Sequence, residues 1–226
     1  MHRAGGIAGE PNTMNEGGRI TAPPSPLFRG RIAMEKKRLV VGITGASGTP
    51  LAIHCLRVLH ERDDVEVHLV ATEAAKLTAE YESSIAFSEI TQLADVYYTE
   101  DALDAAISSG TFRTAGMLVV PCSMKTIAGI VSGYSDNLLL RAADVTLKEQ
   151  RPLVLAARET PLSPIHLRNM AQLAAIPGVQ IVPPMLTYYM HPESIRDIEH
   201  HLAAKMLSRF GIDVPDFKAW GEAPED

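Results

Sequence analysis

Arg38-Leu39-Val40-Val41-Gly42-Ile43-Thr44-Gly45-Ala46-Ser47-Gly48 is the stretch that decides the fold. It opens with a short apolar run, the signature of a strand buried on both faces. The run ends in a cluster of small residues. Residues 49–61 then read as a helix, with apolar Leu51, Leu56, Val58 and Leu59. Strand, small-residue turn and helix together make the first unit of a parallel sheet wound by helices.

The pattern repeats outward from there. VEVHLVA (65–71) predicts a second strand and EAAKLTAEY (73–81) a second helix. Residues 83–115 show no clear period and predict short irregular elements, with Ser108-Ser109-Gly110 as loop. GMLVVPCS (116–123) predicts a strand, 127–131 the start of a helix, and 138–149 a helix striped by Leu138, Ala142 and Val145. PLVLAAR (152–158) predicts a strand, and Ser163-Pro164 opens a helix as cap and first-turn proline. VQIVPP (179–184) predicts a strand. Residues 192–210 predict a long final helix striped by Ile195, Ile198, Leu202 and Met206. The expectation is an α/β domain over 34–226, an open parallel sheet with helices on both faces. Residues 1–33 are rich in Gly and Pro and have no apolar h-region. They read as a disordered extension, with Met34 as an alternative start.

Composition narrows the function classes. The 226 residues are 46% hydrophobic, enough for one substantial core. A net charge of −6 offers no basic surface to nucleic acid. No apolar run is long enough to cross a membrane. Cys55 and Cys122 lie far apart without a CxxC pair, which argues against a disulfide framework or zinc site and suits the cytoplasm. The eight histidines lack a supporting Cys or Asp constellation, so no metal site is expected.

In open parallel sheets the ligand sits at the carboxyl ends of the strands. The 42–48 turn is small enough for a ligand to approach the backbone, and the helix after it offers free amides to a phosphate. It lacks the GxGxxG dinucleotide fingerprint, and an ordinary tight turn is the alternative. Thr72 either bonds a ligand or caps its helix. Pro121-Cys122-Ser123-Met124-Lys125-Thr126 forms a second anion cradle. Cys122 is either a nucleophile or, as is usual for free cysteines, buried and inert. At Arg158-Glu159 the arginine suits a phosphate and the glutamate a proton transfer, unless the two form an exposed ion pair. Arg141 and Lys148, seven residues apart, share a helix face. They either grip a phosphate or belong to a solvated face with Asp144 and Lys148 paired.

Taken in order, GITGASG, PCSMKT, RAADVTLKE, ARETPLS, TYYMHP and the terminal AWGE resemble the UbiX/Pad flavin prenyltransferase family, in particular the members associated with phenolic (hydroxyarylic) acid decarboxylases. The resemblance covers about 38–222. It implies a three-layer, Rossmann-like or flavodoxin-like fold in a homo-oligomer, often dodecameric. It implies transfer of dimethylallyl from dimethylallyl phosphate to N5 and C6 of reduced FMN without a metal, giving prenylated FMN, the cofactor of UbiD-type decarboxylases. The family's motifs assign Gly45, Ala46, Ser47, Thr72, Ser123, Met124, Lys125, Thr126 and Arg158 to FMN. They assign Tyr189, Lys205, Arg141 and Lys148 to the prenyl phosphate, Glu159 to proton transfer, Ser47 also to the vicinity of N5, and Trp220 to the prenyl pocket. Where some members carry a second tryptophan, this chain has Leu103. The chain also lacks the DDxxD by which diphosphate-using prenyl synthases hold metal.

Two other readings share the flavin. Phosphopantothenoylcysteine decarboxylases carry a PASANT-like loop and a PxMN motif, where this chain has PCSMKT and Pro183-Pro184-Met185-Leu186. A non-catalytic FMN-binding component of a decarboxylase complex would have no need of a second phosphate site at Tyr189 and Lys205.

Overall fold

The structure, a computed structural model, describes residues 36–217. Six strands form one parallel sheet: β1 (Lys37–Ile43), β2 (Val65–Ala71), β3 (Val96–Thr99), β4 (Met117–Cys122), β5 (Leu153–Ala157) and β6 (Val179–Ile181). Their order is β3-β2-β1-β4-β5-β6. The helices are α1 (Thr49–His60), α2 (Glu73–Glu82), α3 (Phe87–Thr91), α4 (Met124–Ser132), α5 (Leu138–Lys148), α6 (Pro164–Ala174) and α7 (Ile195–Leu207).

The strands read as continuous apolar runs because both faces are covered. Their alternating side chains divide the core in two. Leu39, Val41 and Ile43 of β1 join Leu51 and Leu56 of α1, Ala75 of α2 and Ala203 and Leu207 of α7. Val40 joins Met117 and Val119 of β4, Ile127 of α4, Leu138 and Leu139 of α5 and Leu173 of α6 on the other face. The chain winds outward one way from β1 and then the other way from β4. Their junction is the topological switch point, where the loops leaving two neighbouring strands diverge and open a crevice.

The predicted elements are present, with differences of extent: α4, expected from 127, already starts at Met124. The segment 83–115 holds α3, β3 and a short 3-10 turn at Ala106–Ser108. The edge strand β3 spans four residues, too few to display a period. β6 stops at Ile181, before Pro183 and Pro184, which cannot donate to a ladder. α7 starts at Ile195 rather than 192, because the Ser194 hydroxyl accepts the Asp197 amide while the Asp197 carboxylate accepts the Ser194 amide at 2.8 Å. The extension 1–33 lies outside the described residues. Among the described residues no helix is long and apolar enough to cross a membrane.

Candidate functional site

A cleft of about 380 Å³ opens at the switch point, lined by Thr44, Gly45, Thr72, Ala74, Glu100, Ser123, Lys125, Thr126, Asn137 and Leu140. Each lining element is turned inward by a local device. Thr72 caps α2, its hydroxyl accepting the Ala75 amide at 3.1 Å. Ser123 caps α4, its hydroxyl 3.3 Å from the Thr126 amide and 3.1 Å from the Thr126 hydroxyl. Asn137 caps α5 by accepting the Leu140 amide at 2.9 Å. Three helices thus start at the cleft with their positive dipole ends turned toward it. Thr72 and Ser123 are caps and cleft-lining hydroxyls at once.

Gly45 is required by close approach. A Cβ there would stand 2.4 Å from the Ala74 Cβ, inside any allowed contact. The missing side chain brings the first turn against the start of α2.

The expectation that α1 offers open amides to a ligand phosphate is corrected. The Glu82 carboxylate accepts the amides of Gly48 at 2.8 Å and Thr49 at 2.9 Å. An anion from the chain itself therefore occupies this helix start. Burial pushes the Glu82 carboxyl up, but hydrogen bonds from Ser47, Gly48 and Thr49 outweigh it and hold the carboxyl below its usual range. The same bonds tether Ser47. Glu100 acts similarly at α2 and α5: its carboxylate accepts the Glu73 amide at 3.0 Å and the Asn137 side-chain amide at 3.2 Å. Sequence reading missed both glutamates, since nothing local marks residues 34 and 27 positions from their partners. Thr44 was also missed. It stands in the 38–48 run, and only the fold discloses what its hydroxyl touches.

Cys122 is fully buried and burial pushes its thiol far up, so it is inert as a nucleophile. Arg158 and Glu159 leave the end of β5 without forming an ion pair with each other; the Glu159 carboxylate instead accepts the Thr160 amide at 2.9 Å. The suggested Asp144–Lys148 pair is absent as well. Arg141 approaches Asp144 at 3.9 Å and Lys148 approaches Glu149 at 3.2 Å, all partly exposed. Leu103 is 49% exposed. Among the described residues no group of His, Cys, Asp or Glu could hold a metal ion.

The residues assigned to the prenyl phosphate do not gather at the cleft of one chain. Arg141 and Lys148 are carried by α5 on one face of the sheet, and Lys205 by α7 on the other. Lys148 ends α5 just before β5 begins. Lys205 precedes Phe210, whose carbonyl accepts the Lys37 ammonium at 2.9 Å at the start of β1. Both lysines therefore lie toward the end of the sheet opposite the cleft. Tyr189 lies beside α7, its hydroxyl 3.4 Å from Nε2 of the buried His201, one turn before Lys205. Burial, with Lys205 and His200 nearby, lowers the His201 imidazole below its usual range. Trp220 lies outside the described residues.

Comparisons with known proteins agree with this geometry. The family described as Flavoprotein matches residues 29–207. Flavin prenyltransferase LpdB of Lactiplantibacillus plantarum is 52% identical over 184 residues, covering 81% of this chain and 98% of that protein. The structure of a dodecameric FMN-dependent Ubix-like decarboxylase from Escherichia coli O157:H7 superposes with a TM-score of 0.79 at 50% identity, covering 81% of this chain and 98% of the other. That of AnUbiX (PadA1), in complex with FMN and dimethylallyl pyrophosphate, gives 0.81 at 45% identity, covering 84% and 100%. With its switch-point cleft and this extent of likeness, the chain belongs to the Flavoprotein family and, within it, to the UbiX-like flavin prenyltransferases.

Proposed function

We propose that the chain is a flavin prenyltransferase that joins dimethylallyl, taken from dimethylallyl phosphate, to N5 and C6 of reduced FMN and yields prenylated FMN for a UbiD-type decarboxylase. The carrying observation is the cleft lined by Gly45, Thr72, Ser123, Lys125 and Thr126, in a chain 45% identical to a protein solved with FMN and dimethylallyl pyrophosphate.

The lining chemistry suits the phosphate end of FMN. Hydroxyls of Thr72, Ser123 and Thr126, the Lys125 ammonium and the start of α4 supply donors. Ala46, Ser47 and Met124 flank the same two turns, and Arg158 extends the donor set from β5. Reduced FMN supplies the nucleophilic N5 and C6. The C–O bond of the donor breaks with its electron pair leaving on phosphate while N5 forms the C–N bond and loses its proton. The prenyl C=C bond then takes up a proton at its inner carbon, and the tertiary carbon so made bonds to C6, which loses its own proton. Glu159 and the departing phosphate are the groups that move those protons. Arg141, Lys148 and Lys205, with the Tyr189 hydroxyl, neutralise the leaving phosphate, and the indole of Trp220 is the π system assigned to the allylic cation, an attraction worth about 1–2 kcal/mol in a dry site.

The donor residues lie on opposite faces of the sheet, with Lys148 and Lys205 toward the end away from the chain's own cleft, so the reading requires neighbouring copies to complete each site. The dodecameric state of the E. coli relative supports such an arrangement. The reading places the chain in the cytoplasm, a reducing compartment in keeping with its two buried free cysteines.

Anaerobic incubation with reduced FMN and dimethylallyl phosphate, followed by mass spectrometry, tests the proposal. A five-carbon FMN adduct is expected, and a parallel arm with the diphosphate ranks the two donors. Recovery of unmodified FMN alone from both arms would leave a non-catalytic FMN-binding protein as the reading.

A further inference from the structure

We propose that Thr44 is a positioning residue: its buried hydroxyl sets the spacing of the two loops that form the flavin cleft. Thr44 is 1% exposed. Its hydroxyl donates to the Pro121 carbonyl at 2.7 Å and accepts the Ser123 amide at 2.9 Å. The Thr44 amide also reaches the Pro121 carbonyl, at 3.3 Å. One side chain thus bridges both sides of Cys122.

These bonds fall just beyond the last paired residues of β1 and β4. The β1–β4 pairing runs from Val40↔Met117 to Gly42↔Val119. The β4–β5 register shifts between Val119 and Cys122. Beyond Gly42 the two chains diverge toward opposite faces, as they must at a switch point. There the Thr44 hydroxyl adds two side-chain bonds to the backbone bond from the Thr44 amide to the Pro121 carbonyl. From Ser123 the linkage runs on to Thr126 through the cap of α4. A continuous path of hydrogen bonds thereby joins Thr44, next to Gly45, to Thr126 across the cleft floor. Valine has nearly the same shape but can neither donate nor accept, so it would leave the Ser123 amide and one Pro121 bond unmade in a dry site.

The inference rests on the flavin reading of the cleft. The test compares Thr44→Val, Thr44→Ala and Thr44→Ser with the unaltered chain in FMN titrations, steady-state kinetics and thermal melts. The hydroxyl-less variants should raise the FMN Kd and the KM for reduced FMN roughly tenfold. They should also change the visible circular dichroism of bound flavin while leaving the KM for the prenyl donor as it was. Serine should restore all of these to within about twofold. A lowered melting temperature with unchanged flavin affinity and spectrum would make Thr44 merely structural and overturn the inference. Should neither hydroxyl-less variant fold, amide exchange at Ser123 in the unaltered chain decides. Slowing on FMN binding is expected, and indifference overturns the inference. An unaltered chain that takes up no FMN defeats the flavin reading instead.

Discussion

Glu82, the last residue of α2, holds the Gly48 amide at 2.8 Å across the mouth of the first ligand turn. Since its folded-state pKa is depressed, the carboxylate contributes stability above its unfolded value, and that stability is lost as pH falls through the folded one. Glu82→Gln should therefore lower stability at neutral pH by about 0.3–1 kcal/mol, as expected for a charge at a helix start. It should also flatten the acid limb of a plot of melting temperature against pH. An acid limb as steep as that of the parent would remove Glu82 from this role.

Gly45→Ala places a Cβ 2.4 Å from the Ala74 Cβ and 3.1 Å from the Ala74 carbonyl carbon and oxygen. Backbone does not yield as a flexible side-chain tip does, so the turn itself must move. A cost of about 1–3 kcal/mol in denaturant unfolding is expected, together with weaker FMN binding. Unchanged affinity would mean that the turn does not touch flavin.

Glu159→Gln keeps the shape and the acceptor for the Thr160 amide, which is 2.9 Å away in the native chain. It removes only the ability to take a proton. Flavin binding should persist while prenylated product forms on the order of a hundredfold more slowly. Single-turnover spectra would follow this directly, and native-like turnover would exclude the carboxylate from the proton transfers.

Lys205→Ala should raise the KM for dimethylallyl phosphate about tenfold, the loss of one charge-assisted bond, and leave the FMN Kd nearly unchanged. Isothermal titration with each ligand separates the two. Equal weakening of both would contradict an assignment of Lys205 to the donor.

The sheet was legible because β1, β2, β4 and β5 are buried on both faces and read as uninterrupted apolar runs. β3 escaped because four half-exposed edge residues carry no such pressure. At the cleft, Gly45, Thr72, Ser123 and Thr126 were legible because strand ends are predictable places and their residue types are short and polar. Glu82, Glu100 and the partners of Thr44 were not, since their bonds join segments 27 to 79 positions apart. Nor could helical periodicity reveal that α5 and α7 lie on opposite faces. A face shared along one helix, as by Arg141 and Lys148, says nothing about where another helix sits.

That division of the cations between α5 and α7 has a genetic reading. If each copy lends its lysines to a neighbour's cleft, a defect in one chain can be offset by an intact residue in another. Lys148→Ala and Lys205→Ala chains, each impaired alone at low donor concentration, should recover a fraction of the lost activity when unfolded together and reassembled. Mixing them without subunit exchange should recover none. The heritable unit of activity would then be the pair of alleles in one assembly rather than the single polypeptide.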